Sequence, residues 1–473
     1  MRILLVEPGY RNKYPPLALM KLSTYHKQLN DEVVFCKGIH QNIKKQKWDR
    51  IYISTVFTFH WDIVVRTIKF YLNSVTNPND IYIGGAMATI MAKEILSIDG
   101  FQNIVILKGL LDKPDILDDN NIVVDELIPD YSILESKENN YLNYVYPVNN
   151  AYFIHATRGC IRKCEFCAVP IIEPVFKGYC NINSRIEEIN SLYGTKKDLM
   201  IMDNNILASP HFERIVQEII ESGFGKDNNE YIYYVNNRKV TAKRHVDFNQ
   251  GLDARLIYSN PEILELISRL AIRPLRIAFD HADDDFINIY TQCMNKAAEL
   301  NIKYASNYIL FNFEDTPGDF YKRLRINVEL NKSYQESGKS TQIWSFPMRF
   351  SPLFGEHAKD RKFVGKHWTS KQIRAIQCIL NATHGVVGPK LSFFEKAFGK
   401  NIYEFNELLY MPEKYIINRN EYESSGLTNK WRQQLNALSE SERTEFMLLI
   451  KNNTFIALEH TNNKILALLK HYI

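Results

Sequence analysis

Three cysteines stand in the run Thr157-Arg158-Gly159-Cys160-Ile161-Arg162-Lys163-Cys164-Glu165-Phe166-Cys167. Three thiolates on one short loop form a tripod in which each binds one iron of a [4Fe-4S] cubane, and the fourth iron is left for another ligand. That open iron is where chemistry can occur. A zinc site and chance clustering are the alternatives. Zinc takes four ligands, usually as two paired sets, whereas Cys36, Cys180, Cys293 and Cys378 are isolated singles and only His155 lies close in sequence.

The spacing CxxxCxxC, with Phe166 just before the third cysteine, resembles the signature of the radical S-adenosylmethionine (SAM) superfamily. The resemblance implies that the amino and carboxylate groups of SAM chelate the open iron. It implies that reduction, by an electron donor acting as partner, cleaves SAM to methionine and a 5′-deoxyadenosyl radical. The likeness extends over about residues 1 to 350, although only the cysteine motif is specific by itself.

Such a loop needs a scaffold. Residues 1–125 alternate short apolar runs with amphipathic stretches. The runs are Ile3–Val6, Glu32–Phe35, Arg50–Ser54, Asp80–Ile83 and Ile104–Leu107; the stretches include Leu17–Leu29 and Trp61–Leu72. Nearly continuous apolar runs suit strands buried on both faces, and βαβ alternation gives a doubly wound parallel sheet. Residues 126–151, with Pro129 and Pro147, read as a linker. A second set of strand candidates follows: Tyr152–Thr157, Leu199–Met202, Val246–Asn249, Leu275–Phe279, Tyr304–Phe311 and Gln342–Phe346. Six βα units over residues 152–350 are what the radical SAM partial (β/α)6 barrel needs. Residues 223–244, polar and rich in Asn and Tyr, are an insertion that forms a lid or a hairpin. Residues 351–473 read as a mostly helical C-terminal domain, with helices over Ser370–Ala382 and Leu391–Phe398. The fold class is accordingly α/β.

The N-terminal strand ends resemble the cobalamin-binding domain that precedes the barrel in one radical SAM class. On that resemblance Ser54 and Thr55 donate hydroxyl hydrogen bonds to the corrin, and Gly84 and Gly85 let the backbone approach its nucleotide loop. The DxHxxG motif of histidine-ligated cobalamin proteins is absent, and Lys108-Gly109-Leu110 replaces the usual acidic turn.

Barrel sites collect at the C-terminal ends of strands. After the second barrel strand come Asp203, Asn204 and Asn205, which the resemblance places on the methionine ammonium of SAM. After the third come Asp253 and Arg255: the guanidinium suits the SAM carboxylate, and Asp253 either pairs with it or takes a ribose hydroxyl. Asp280, with His281, follows the fourth strand at the family's ribose contact. Asn312 stands where the family's adenine turn has glycine.

With 473 residues, 45% hydrophobic and 24% charged, the chain can hold two or three domains. No run of about 18 apolar residues occurs, so no membrane partner is expected. Seven cysteines without an even framework fit a reducing compartment, and a cytoplasmic location is expected. The net charge of +4 is uneven, because Thr341 to Ile473 holds 18 Lys and Arg against 12 Asp and Glu. Its densest stretch, Lys359 to Arg374, is either a solvated helix face or a grip for nucleic acid phosphates. The reading is a radical SAM enzyme of unknown substrate, with cobalamin-dependent methylation as one outcome. The alternatives are an RNA-modifying radical SAM enzyme without cobalamin, or a non-enzymatic metal-bearing module that binds nucleic acid.

Overall fold

The fold is that of a computed structural model, which describes residues 1–135, 141, 143–454 and 462–473. The chain divides into two compact units. The first comprises Met1–Leu252, Glu265–Arg273 and Ser351–Phe363; the second comprises Asp253–Leu264, Pro274–Phe350 and Val364–Ile473.

The first unit opens with five strands, β1 (Arg2–Glu7), β2 (Glu32–Lys37), β3 (Arg50–Thr55), β4 (Ile81–Gly85) and β5 (Val105–Leu107). All pair in parallel, in the order β2-β1-β3-β4-β5. Ile3, Leu4, Leu5 and Val6 are all fully buried, as a central strand covered on both faces requires. On one face Leu4, Val6, Ile51, Ile53, Ile81 and Ile83 cluster with Val64, Ile68 and Tyr71 of the helix Trp61–Tyr71. The order reverses between β1 and β3, and in open α/β sheets that switch point marks the ligand end.

The same unit holds β6 (Ala151–Ile154) and β7 (Asp198–Ile201), then β8 (Glu230–Val235), β9 (Arg238–Lys243) and β10 (Val246–Asp247). β6, β7 and β10 form a parallel sheet in the order β10-β7-β6. The insertion is an antiparallel hairpin of β8 and β9. Its two-residue turn, Asn236-Asn237, takes φ of 48° and 63°, as a type I′ turn demands, and Asn tolerates that region better than most residues. Tyr231 of this hairpin bonds Asn150 and the Thr195 carbonyl, just before β6 and β7 begin. The hairpin therefore sits at the N-terminal ends of these strands, opposite the cysteine loop, and the lid alternative does not hold.

Two strands stop earlier than their hydrophobic runs. β6 ends at Ile154 because the N–H groups of Ala156 and Thr157 bond the Asp203 carboxylate instead of a neighbouring strand. β10 ends at Asp247, whose side chain accepts from the N–H of Asn249 at 2.7 Å while Asn249 turns to φ 56°; this is an Asx turn.

The second unit contains β11 (Leu275–Ala278), β12 (Tyr304–Phe311) and β13 (Gln342–Arg349), parallel in that order. Hydrogen bonding thus arranges the six strands expected of the barrel as two three-stranded parallel sheets, one in each unit. The 20-residue helix Pro317–Glu336 starts with Pro317 after a Thr316/Asp319 capping box, which satisfies its first N–H groups. The rest of the unit is helical, including Ser370–Ala382 and Leu391–Phe398. Among the described residues no helix is long and apolar enough to cross a membrane.

The basic stretch Lys359 to Arg374 is distributed between the units. In the first, Lys359 lies 4.0 Å over the Trp61 ring and Arg361 4.1 Å over Phe59, with Ala358 buried in the sheet's core. In the second, Lys371 is buried and donates to the Met411 carbonyl at 2.6 Å, and Arg374 pairs with Glu413 at 2.8 Å. Lys362 has its side chain 81% exposed.

Candidate functional site

Cys160, Cys164 and Cys167 follow directly from the C-terminal end of β6. All seven cysteines are free, and these three are half-buried. Among the described residues no three His, Cys, Asp or Glu side chains converge on one point as a single ion needs; a cubane instead takes each thiolate on a separate iron. The loop is shaped by its neighbours. Arg158 pairs with Lys177 in both directions through backbone bonds of 3.0 and 2.9 Å. Between them Gly159 takes φ +75°, and a Cβ there would lie 2.6 Å from the Val175 carbonyl oxygen. The Cys167 N–H closes the loop on the Cys164 carbonyl at 3.0 Å.

The turn after β7 frames this loop with three consecutive side chains. Asp203 is buried; its carboxylate accepts from the N–H of Ala156 at 2.8 Å, the N–H of Thr157 at 2.6 Å and the Thr157 hydroxyl at 2.7 Å. Burial raises its pKa to about 7, against the lowering effect of those three donors. Asn204 donates to Glu173 at 3.0 Å, and Glu173 also accepts from the Gly159 N–H at 2.7 Å and pairs with Arg158 at 3.1 Å. Asn205, also buried, donates from Nδ2 to the Cys160 sulfur at 3.4 Å, while its Oδ1 is buried with no partner. Asp203, expected on the SAM ammonium, has both carboxylate oxygens engaged by the loop itself, and Asn204 has its amide nitrogen engaged by Glu173. Asn205 is the one of the three whose unpartnered acceptor is buried.

Glu173 was not found from sequence. It is an isolated acid six residues beyond Cys167, and its partners Gly159, Arg158 and Asn204 meet it only in the folded chain. The N-terminal sheet reaches the same loop. Arg158 pairs with Asp125 at 3.4 Å and Lys177 with Asp112 at 2.9 Å. The helix Ala86–Ile90 packs on Val169–Ile172, just after the third cysteine.

The residues expected around a corrin are engaged within the sheet. The Thr55 hydroxyl donates to the Gly84 carbonyl and accepts from the Ala88 N–H, both at 2.9 Å. Gly85 takes φ +102°, and a Cβ there would come within 2.0 Å of the Thr55 carbonyl oxygen. The glycine is needed for the close approach of β3. Gly84 is less constrained, with ordinary contact to Leu107, and Ser54 is half-buried with its carbonyl bonded by the Tyr10 hydroxyl.

In the second unit, Asp253 caps the helix Ala254–Ser259 by accepting from the Arg255 N–H, and also pairs with Arg255 Nε at 2.8 Å. Asp280 lies within electrostatic range of both. Burial raises its pKa to about 6, with Arg323 and Arg255 opposing the shift. The structure thus brings together Asp253, Arg255 and Asp280 beside β11. Asn312 takes φ +68°, the left-handed conformation that glycine ordinarily supplies, and its Oδ1 accepts from the Gly365 N–H at 2.8 Å.

No protein-family model matches the chain, and no curated protein matches it. Among solved structures the fold is similar to that of OxsB, a cobalamin-dependent S-adenosylmethionine radical enzyme solved with aqua-cobalamin bound. The TM-score is 0.52 at 12% identity, over 100% of this chain and 78% of that one. TsrM from Kitasatospora setae, a radical S-adenosylmethionine methyltransferase solved with tryptophan and the SAM analogue aza-SAM, aligns over 80% of this chain and 76% of its own at 14% identity. Its TM-score of 0.49 lies below the level that establishes a shared fold. The α/β fold, with its parallel sheets, is therefore similar to that of OxsB.

Proposed function

We propose that the chain is a radical SAM enzyme in which Cys160, Cys164 and Cys167 hold a [4Fe-4S] cluster and SAM binds its open iron. The observation that carries this reading is the pairing of a half-buried thiol tripod with Asn205, whose amide N–H bonds the Cys160 sulfur while its buried oxygen has no partner. A buried amide oxygen without a donor is unfavourable by about 1–3 kcal/mol. A ligand bearing an ammonium group beside the cluster would remove that cost. The bound cluster would supply one electron for SAM cleavage. The chain's own residues hold the loop rigid: Asp203 fixes its root, Glu173 its glycine, and Arg158 its link to the N-terminal sheet.

The sheet order β2-β1-β3-β4-β5 and the whole-length fold similarity to OxsB favour a corrin partner as a second reading. Thr55 and Gly85 are engaged within the sheet itself, which leaves Ser54 and Gly84 as the expected corrin contacts without such a constraint. A small-molecule or RNA substrate and an external electron donor complete the proposal.

Anaerobic reconstitution should give about four irons per chain, and dithionite with SAM should then yield 5′-deoxyadenosine. Iron uptake without SAM cleavage would replace the enzyme reading by a metal-bearing binding module. A corrin absorption band retained through gel filtration supports the second reading; its absence after saturation with cobalamin rejects it.

A further inference from the structure

We propose that Asn205 is a positioning residue that sets the reduction potential of the cluster through its N–H bond to the Cys160 sulfur. The inference rests on the cluster reading above. It concerns a role for Asn205 other than contact with SAM.

The Cys160 sulfur accepts two N–H groups, the backbone N–H of Arg162 at 3.3 Å and Asn205 Nδ2 at 3.4 Å. Hydrogen bonds to cluster sulfurs stabilise the more negative, reduced state and so raise the potential. The effect is larger where water is excluded, and Asn205 is only 7% exposed. The turn that carries the side chain is also held in place. The Asn205 backbone carbonyl accepts from the Ala208 N–H at 3.2 Å, closing the short turn Ile206–Ala208. Two residues earlier, Asp203 ties the same turn to the root of the cysteine loop. The backbone from which the amide projects is therefore fixed relative to the cysteine loop. The amide oxygen stays buried and unpartnered in that orientation, which an asparagine serving only to close a turn would not need. Of the two donors, only Asn205 can be removed without altering the loop backbone.

The test compares wild type, Asn205→Leu and Asn205→Asp, each reconstituted anaerobically without SAM so that any contact with SAM is absent. Iron and sulfide content is measured first. The reduced cluster is then followed by electron paramagnetic resonance during a potentiometric titration. At the potential where wild type is half reduced, Asn205→Leu should show about a tenfold lower ratio of reduced to oxidised cluster, which is 59 mV for one electron. Asn205→Asp, which adds a negative charge, should shift at least as far in the same direction. A loaded variant of either kind that titrates at the wild-type potential overturns the inference. If Asn205→Leu loses iron, Asn205→Asp carries the measurement. Loss of iron in both overturns it too, because the residue is then a structural part of the loop. Failure of wild type itself to take up a cluster is a different result, and it rejects the cluster reading.

Discussion

Cys160 owes its setting to residues on either side of it in the chain and across the sheet. Gly159 is the most constrained of these, because it combines φ +75° with a carbonyl oxygen 2.6 Å from where a Cβ would stand. The left-handed conformation alone costs an L-residue about 1–2 kcal/mol, and the contact adds to it. Gly159→Ala should therefore lower stability by at least that amount in a thermal or urea melt, and reduce iron uptake on reconstitution. A variant with wild-type iron content and melting behaviour would show that the loop adapts more freely than its hydrogen bonds allow. Glu173→Gln is a milder change. It keeps an acceptor for the Gly159 N–H but gives up the ion pair with Arg158.

Among the elements, the end of β3 and the hairpin make opposite predictions. Thr55 ties β3 to β4 and to the following helix through two hydrogen bonds at 2.9 Å. Thr55→Val keeps the shape but leaves the buried Ala88 N–H unpaired, so stability should fall by about 1–3 kcal/mol. This should be seen in a denaturant titration with no cofactor present. An unchanged midpoint would return Thr55 to the role of a ligand contact. The hairpin β8–β9 stands at the far ends of the strands from the cysteines. It exposes Ile232, Tyr233, Tyr234 and Val235. Replacing residues 232–241 with a short glycine linker should leave iron loading at the wild-type level, measured as iron per chain. Loss of loading would mean that the hairpin supports β10 and β7 as well as extending from them.

At the scale of the molecule, one cation of the C-terminal basic stretch, Lys371, is built into the interior, whereas Arg361, Lys362 and Lys366 are displayed. Lys371 is fully buried, and burial lowers its pKa to about 8 despite Glu413 nearby. Its folded pKa lies below the unfolded value of about 10.4. Between these values the unfolded chain binds more protons, so stability rises with pH across the window from about 8 to 10.4 and is lowest below it. The slope for one proton is at most about 1.4 kcal/mol per pH unit. Lys371→Met should flatten that part of the stability profile, measured by urea unfolding from pH 7 to 10.5. An unchanged slope would show that Lys371 stays charged in the fold. Lys362 remains exposed, so a Lys362→Glu reversal should weaken RNA binding and reduce its dependence on salt if RNA is the substrate.

The sequence by itself determined the three-cysteine motif and the succession of strands. Cys160, Cys164 and Cys167 lie within eight residues, so their spacing is a local property. The apolar runs carry their own periodicity, as β1 and β12 show almost to the residue. Tertiary structure decided what the polar residues at the strand ends do. Asp203 reaches Thr157 across 46 positions, and Asn205 reaches Cys160 across 45. Those meetings depend on the parallel register that sets Ile154 opposite Ile201. Spacing along a chain cannot give that register, because it is fixed jointly by every side chain the two strands bury. For the same reason Thr55 and Gly85 read in sequence as a ligand loop, although the fold uses them to join its own strands.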